Sequence, residues 1–312
     1  MRKSILRLSC GLATLAVVTL SLCFSGKPVG AGSKAVSTRT ITTPLSFGAY
    51  KSLGLRNIGL PDLNIIRAAA AGEATTMSAA SLSVGPLAIG SLAAGFGNGL
   101  AAATVSVPDD RFPTTTLGGV TVTVVDWLER SHTAGIIYVS PTQINHEIPI
   151  NASPGPATIT YTNTVTGESS VSFVDLAPVA PGLFTKNATG SGIANSAVVR
   201  KRNGAPDVYE PVYKIENGQF VPLPIDFGPE TDQVLLVLWG TGFRFRSSLP
   251  AVTVTVGGIP LESVYAGRAG DDRPFLDQFN GWLPRSLAGR GLVDVVMAVD
   301  GMTSNTVQIS FR

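Results

Sequence analysis

Two histidines, three tryptophans and two adjacent acidic pairs are the side chains in this sequence best suited to chemistry. A zinc site would need both His132 and His146 plus carboxylates. His132 falls in a polar turn, while His146 shares strand parity with Ile144 and Ile148, which points it to the core side. The sequence therefore favours a hydrogen-bonded core histidine over a ligand. A Ser-His-Asp hydrolase needs a serine on a sharp turn beside a base. No Gly-x-Ser-x-Gly phrase follows residue 31. Glycoside hydrolysis needs two carboxylates across a cleft. Asp109-Asp110 and Asp271-Asp272 are the adjacent pairs, both in loop-like stretches. Asp271 and Asp272 follow Gly267-Arg268-Ala269-Gly270, a stretch that could give calcium backbone oxygens, but EF-hand spacing is missing. Solvated turn residues are the default reading of both pairs.

Two glycine phrases, Gly97-Asn98-Gly99 and Gly240-Thr241-Gly242, invite a phosphate-loop reading. Neither is followed by a helical pattern or by Lys and Ser/Thr at the required spacing. Positive φ in a tight β turn explains them better. Arg200, Lys201 and Arg202 read as a solvated basic face. Trp239 ends an apolar run and reads as core. Trp282 has the opposite parity to Phe279 and Gly281, so it points outward. There it either stacks on a sugar ring or packs against a neighbouring domain.

The elements that must position these residues are β-strands. The chain has 312 residues, 44% hydrophobic and 14% charged, with 34 glycines and 21 prolines. That composition supports a sizeable core built from short strands and frequent turns, and argues against disorder. Val120-Thr121-Val122-Thr123-Val124 alternates with period 2, and so does Val252-Thr253-Val254-Thr255-Val256.

One phrase occurs twice. Gln143-Ile144-Asn145-His146-Glu147-Ile148-Pro149 and Gln278-Phe279-Asn280-Gly281-Trp282-Leu283-Pro284 both read Gln, apolar, Asn, two variable residues, apolar, Pro. Gly97 and Gly99 precede one copy as Gly240 and Gly242 precede the other. A duplicated strand unit follows. The positions that differ, His146 against Gly281 and Glu147 against Trp282, are where the copies would divide their work. Glu147, Trp282, Asp271 and Asp272 are the candidate ligand-contacting residues.

The N-terminus reads as an export signal. Arg2, Lys3 and Arg7 precede an uncharged run from Leu8 to Phe24, and Val29-Gly30-Ala31 offers a cleavage site before Gly32. An uncleaved anchor is the alternative, although the run lies at the short end for a span. Cleavage would remove Cys10 and Cys23, the only two cysteines. It would also remove Arg2, Lys3, Arg7 and Lys27, leaving 19 of the 23 basic residues against 21 acidic ones. The net charge of +2 then becomes −2, which excludes a nucleic-acid footprint.

The expected organisation is a signal peptide over 1–31 and a spacer over 32–82 that is mostly irregular, with a short helix over Pro61–Gly72. A first sandwich covers 83–177, a connector 178–195, and a second sandwich 196–312. The second carries an inserted hairpin at 207–224 around Asn217-Gly218.

The G-x-G-[LF] phrase after a hydrophobic strand, in both repeats, resembles the IPT/TIG immunoglobulin-like fold. Five phrases occur in order. They are Thr116 to Val120, Tyr138 to Asn145, Ala180 to Phe184, Leu238 to Phe243, and Pro284-Arg285-Ser286-Leu287-Ala288-Gly289-Arg290-Gly291. Together they resemble an uncharacterised C-terminal domain family of secreted acidobacterial proteins, over roughly residues 78 to 312. The resemblance implies an accessory role and no known catalytic residues. His146, Gly281 and the long polar turn 126–133 depart from the family pattern.

The sequence thus predicts an all-β protein of two tandem immunoglobulin-like (IPT/TIG-like) β-sandwiches, secreted or extracytoplasmic, non-enzymatic and without a cofactor. Its expected partner is a protein or polysaccharide at the cell surface. Neither nucleic acid nor a stable membrane span after cleavage is expected. The alternative is a carbohydrate-active protein, either glycan-binding through Trp282 or a hydrolase using loop carboxylates.

Overall fold

Along Val120–Val125 buried and half-buried residues alternate without a break, which is the period-2 pattern of a strand with one face in a core. The same logic builds the whole chain in the computed structural model, which describes residues 72–108, 113–270 and 273–312. The short helix expected over 61–72 and the export signal fall almost wholly outside the described residues.

The first half holds β1 (Thr75–Ser78), β2 (Leu87–Ala88), β3 (Leu92–Phe96), β4 (Val105–Ser106) and β5 (Val120–Val125). It continues with β6 (Ser131–Thr133), β7 (Ile136–Val139), β8 (Gln143–Glu147), β9 (Gly155–Asn163) and β10 (Ser169–Ala177). They form two sheets in the orders β1-β3-β8-β7-β4 and β2-β10-β9-β5-β6. Between the sheets lies a core that includes Val122, Val124, Ile136, Ile144, Ile159 and Tyr161.

The second half holds β11 (Gly182–Leu183), β12 (Ser196–Lys201), β13 (Val208–Pro211), β14 (Tyr213–Glu216), β15 (Gln219–Pro222) and β16 (Gln233–Thr241). After them come β17 (Val252–Val256), β18 (Ile259–Pro260), β19 (Glu262–Arg268), β20 (Asp277–Trp282), β21 (Gly291–Val299), β22 (Met302–Thr303) and β23 (Val307–Phe311). One sheet runs β13-β12-β16-β20-β19 with β11 also on β16; the other runs β18-β17-β21-β22 with β23 on β21. Leu236, Leu238, Val254, Phe279, Met297 and Ile309 are among the residues packed between them. The fold is all-β, two tandem immunoglobulin-like sandwiches.

The duplication extends to register. β1-β3-β8-β7 and β12-β16-β20-β19 follow the same path, and each ends on a bulge, between Ile136 and Tyr138 and between Ser263 and Tyr265. Each bulge turns its tyrosine back onto the same side as the asparagine opposite it. The parallel pairing of β2 with β10 returns as the single bridge Ile225↔Phe311.

Three expected boundaries shift. The stretch taken as spacer supplies β1, an edge strand of the first sandwich, paired from Thr75↔Phe96 to Ser78↔Ala93. The stretch taken as connector is woven into the second sandwich, where Gly182 and Leu183 pair with Thr241 and Gly240. Within the expected insertion 207–224, β13 joins the main sheet through β12, so only β14 and β15 form a separate hairpin.

The two sandwiches meet end to end. Leu92 N–H donates to Thr241 Oγ1 at 2.9 Å, and Thr241 Oγ1–H donates to the Phe275 carbonyl at 2.7 Å. Gly242, at φ +83, lies where any Cβ would sit 2.2 Å from the Ala180 carbonyl and 3.2 Å from Ala88 Cβ. Glycine is required there for both conformation and approach. Its counterpart Gly99, at φ +67, has open space around it and needs glycine for conformation alone.

Candidate functional site

The outer face of β13, β12, β16 and β20 in the second sandwich presents an apolar and aromatic surface outside the core. Register sets it out. Tyr209, Val199, Leu235 and Trp282 are cross-strand partners in one row. The next row is Pro211, Ala197, Val237 and Asn280, and Asn280 in turn faces Tyr265 on β19. Trp239 pairs with Gln278, which faces Gly267. Val199, Leu235 and Val237 form a buried cluster separate from the core, and Trp239 and Trp282 pack against it while partly exposed. Tyr209 is 72% exposed. Tyr265 O–H donates to the Arg268 carbonyl at 2.6 Å, which lays its ring over Gly267.

The parity argument therefore places Trp282 correctly outward, but Trp239 belongs to this outer surface and not to the core. In an all-apolar strand such as Val234–Trp239 alternation gives no sign of which parity faces inward.

The repeated glutamine and asparagine have one role in both copies. Gln143 Nε2 donates to Asn145 Oδ1 and Gln278 Nε2 to Asn280 Oδ1, each at 2.8 Å. The repeated prolines start a turn through their carbonyls, which accept from Ala152 and Leu287 N–H at 3.1 Å each. Gly97 and Gly240 do not use positive φ. A Cβ on Gly97 would press on the Leu100 side chain, and one on Gly240 would sit 2.4 Å from the Gly182 carbonyl oxygen.

Glu147 takes the position of Trp282 but not its setting. Burial pushes its carboxyl up, and the charges of Arg244 and Arg268 in the second sandwich pull against that shift. Glu147 thus faces the domain junction. Nearby, the fully buried Asp277 accepts from Phe243 N–H at 2.8 Å, Arg244 N–H at 3.2 Å and Arg244 Nε at 2.7 Å. Burial still raises its carboxyl above the ordinary range. Asp271 and Asp272, like Asp109 and Asp110, lie outside the described residues.

The two histidines sit in opposite sheets, and among the described residues no group of three or more His, Cys, Asp or Glu is placed to hold a metal. His146 is fully buried. Its Nδ1–H donates to the Glu147 carbonyl at 3.2 Å, which leaves Nε2 to accept from Tyr161 O–H at 3.0 Å. Tyr161 oxygen then accepts from Thr76 Oγ1 at 2.7 Å. Burial lowers His146 to about 4, so it is neutral at physiological pH. His132 instead meets Asp126 at 3.0 Å, together with Arg130. Burial opposes ionisation of Asp126, but the Ser153 N–H, Arg130 and His132 outweigh it and hold the carboxyl well below the usual range. Asp126 is thus a brace for the turn 126–130, which carries the exposed Trp127 over Gly155.

Within the basic run Lys201 and Arg202 keep the expected solvated setting, and Arg200 does not. Arg200 is buried, bound to Glu210 at 2.6 Å and Asp232 at 3.3 Å and to the carbonyls of Asp226 and Phe227. Its partners come from 10 to 32 residues away, beyond what a local reading shows.

No protein-family model matches the chain, and a search of curated proteins gives no match. Solved structures give distant likenesses. One is the BSP domain of a biofilm-associated protein, at 16% identity and TM-score 0.24, over 72% of this chain. This chain spans 28% of that structure. A tetra-tandem repeat in the extending region of a large adhesion protein shows 10% identity and TM-score 0.20, over 77% of this chain and 74% of that one. Bovine butyrophilin shows 8% identity and TM-score 0.23, over 77% and 99%. The sandwich architecture rests on the strand order and register above.

Proposed function

We propose that this chain is an exported, non-enzymatic binding module in which the first sandwich is a support and the second carries the ligand face. The observation that carries this reading is the exchange of Glu147 for Trp282 at one register position. In the first copy that position is committed to the junction. In the second it lies beside Leu235 and Val199 on a partly exposed apolar surface. There two partly exposed indoles, Trp239 and Trp282, cover a buried apolar cluster, and partly exposed indoles side by side on a folded domain mark a contact site.

The reading places the protein in the extracellular space or at the cell surface, with a protein or polysaccharide as partner. Support comes from the basic, apolar and small-residue pattern of residues 1–31. No helix among the described residues is long and apolar enough to cross a membrane. The proposed organisation keeps a cleaved segment 1–31 and assigns the repeats to an IPT/TIG-like, acidobacterial type of secreted domain, on the five phrases quoted above.

Retention of the secreted chain on the envelope fraction of the source organism tests the reading. Trp282→Ala should lower retention about tenfold or more while the variant still unfolds in one cooperative transition. Retention equal to wild type would remove the second sandwich's outer face as the site. Mass spectrometry of the exported chain should find Gly32 at its start; an intact Met1 would overturn the cleaved signal.

A further inference from the structure

The outer faces of the two sandwiches share their amide pair and the tyrosine opposite its asparagine, and differ at the aromatic positions that flank the pair along the strands. On the second face β20 places Gln278, Asn280 and Trp282 at alternate positions, and β16 places Trp239, Val237 and Leu235 beside them. Four residues separate the row of Trp239 from the row of Trp282. At about 3.3 Å per residue the two indoles stand about 13 Å apart along the strands. Between them the Gln278–Asn280 hydrogen bond uses one donor and one acceptor. It leaves Gln278 Oε1 free to accept and Asn280 Nδ2 free to donate. A ligand group matched to adjacent amide donors and acceptors must itself both donate and accept, as a hydroxyl does.

Charge narrows the class further. Lys201, at the margin of the face, is paired with Asp207 at 3.0 Å. Glu262, opposite Trp282 on the edge strand β19, is a second carboxylate at the rim of the face. The middle of the face carries none: Val199, Ala197, Leu235, Val237, Trp239, Gln278, Asn280 and Trp282. An uncharged face gives an anionic polymer or a charged peptide nothing to pair with, and desolvating such charges against it would cost free energy. It suits a neutral, hydroxyl-bearing ligand whose apolar ring faces stack on indole.

We infer that the second sandwich binds a neutral polysaccharide segment laid along β16 and β20, stacked on Trp239 and Trp282, with its hydroxyls on Gln278 and Asn280. This rests on the binding-face reading above and names its ligand class. The first sandwich lacks the site: Phe96 and Glu147 occupy the positions of Trp239 and Trp282, and Glu147 faces the arginines of the junction.

The test uses the full secreted chain. Calorimetry against cellohexaose, xylohexaose and mannohexaose should show binding to at least one. Trp239→Ala and Trp282→Ala should each weaken it about tenfold or more. Affinity should change less than about twofold between about 50 and about 500 mM salt, as befits an uncharged ligand. Binding confined to polygalacturonate or another anionic polymer, with steep salt dependence, would overturn the inference.

Envelope material treated with periodate or with protease separates this inference from the reading beneath it. Retention that depends on Trp282, survives protease and is lost to periodate supports the polysaccharide. Retention that depends on Trp282, survives periodate and is lost to protease overturns the polysaccharide and keeps the binding face. Retention indifferent to both tryptophans sinks both.

Discussion

The two sandwiches have one strand path and two interiors. Register equates Gly95, Tyr161, Ile144 and His146 of the first with Leu238, Met297, Phe279 and Gly281 of the second. In the first, a tyrosine ring fills the space above a glycine; a Cβ on Gly95 would sit 2.2 Å from Tyr161 Oη. In the second, Leu238 fills that space from its own strand, and Phe279 fills the space above Gly281, where a Cβ would meet its ring at 2.8 Å. Volume is conserved between copies while its source moves from strand to strand. The first copy also buries a Thr76–Tyr161–His146 hydrogen-bond chain; in the second, Met297 and Gly281 stand for Tyr161 and His146, and Ser196, in the place of Thr76, donates to the Ala194 carbonyl instead. Topology is therefore the inherited part of the unit, and packing chemistry is free to diverge within it.

The sharpest way to break this comparison is at the start of β20. Asp277→Ala would leave Arg244 buried without its carboxylate, with two backbone N–H groups unmatched. We expect a loss of about 3–5 kcal/mol by chemical denaturation. Its counterpart in the first copy is the exposed Thr142, where alanine should stay within about 0.5 kcal/mol. Similar losses at both sites would mean that the copies are stabilised alike.

Acid should separate the copies next. Folded His146 resists protonation until about pH 4, whereas the unfolded histidine titrates at 6.5. As pH falls from 6.5 towards 4 the unfolded state takes up a proton that the folded state refuses, so stability falls, by about 3 kcal/mol in all. Glu147 and Asp277, both raised by burial, act in the opposite sense. The difference between wild type and His146→Gln across that window isolates the histidine. A pH profile unchanged by the substitution would show that His146 does not supply the effect.

Glycine tests are smaller. Gly242→Ala meets both positive φ and the Ala180 carbonyl, and should cost about 2–3 kcal/mol; Gly99→Ala meets positive φ alone, about 1–2 kcal/mol. Equal melting temperatures for the two variants would contradict the close approach at the junction. Smallest are Gln143→Ala and Gln278→Ala. Each deletes one half-exposed amide bond and should cost about 0.5–1.5 kcal/mol, alike in both copies.

Much of this architecture is legible in the amino-acid sequence. The Val-Thr runs announced strands because half-buried faces impose period 2, and the repeated Gln-x-Asn phrase announced duplication. Trp282 could be aimed outward because Phe279 and Gly281 set the parity around it. Other features were hidden for physical reasons. Thr75-Thr76-Met77-Ser78 has no hydrophobic period, so β1 could not be told from a spacer. Trp239 stands in a strand apolar on both faces. Arg200 is neutralised by residues distant in sequence, and the junction is assembled from β3, the connector and the loop after β16. The phrase from Pro284 to Gly291 owes its residues to contacts distant in sequence. Arg285 binds the carbonyls of Phe227, Gly228, Pro229 and Asp232, Leu287 enters the core, and Arg290 binds the Gly257 carbonyl.

The connector has a mechanical consequence. Ala180 N–H donates to the Gly242 carbonyl at 2.9 Å, and two residues later Gly182 and Leu183 pair with Thr241 and Gly240. The chain between the sandwiches has no slack. Tension between a ligand held on β16 and β20 and an anchor upstream of the first sandwich would pass into β16 through this short ladder. Its bonds, together with the Leu92–Thr241 contact, tie the first sandwich directly to β16. A tether would stretch first and load the fold later; here the ligand face and the first sandwich feel the pull together.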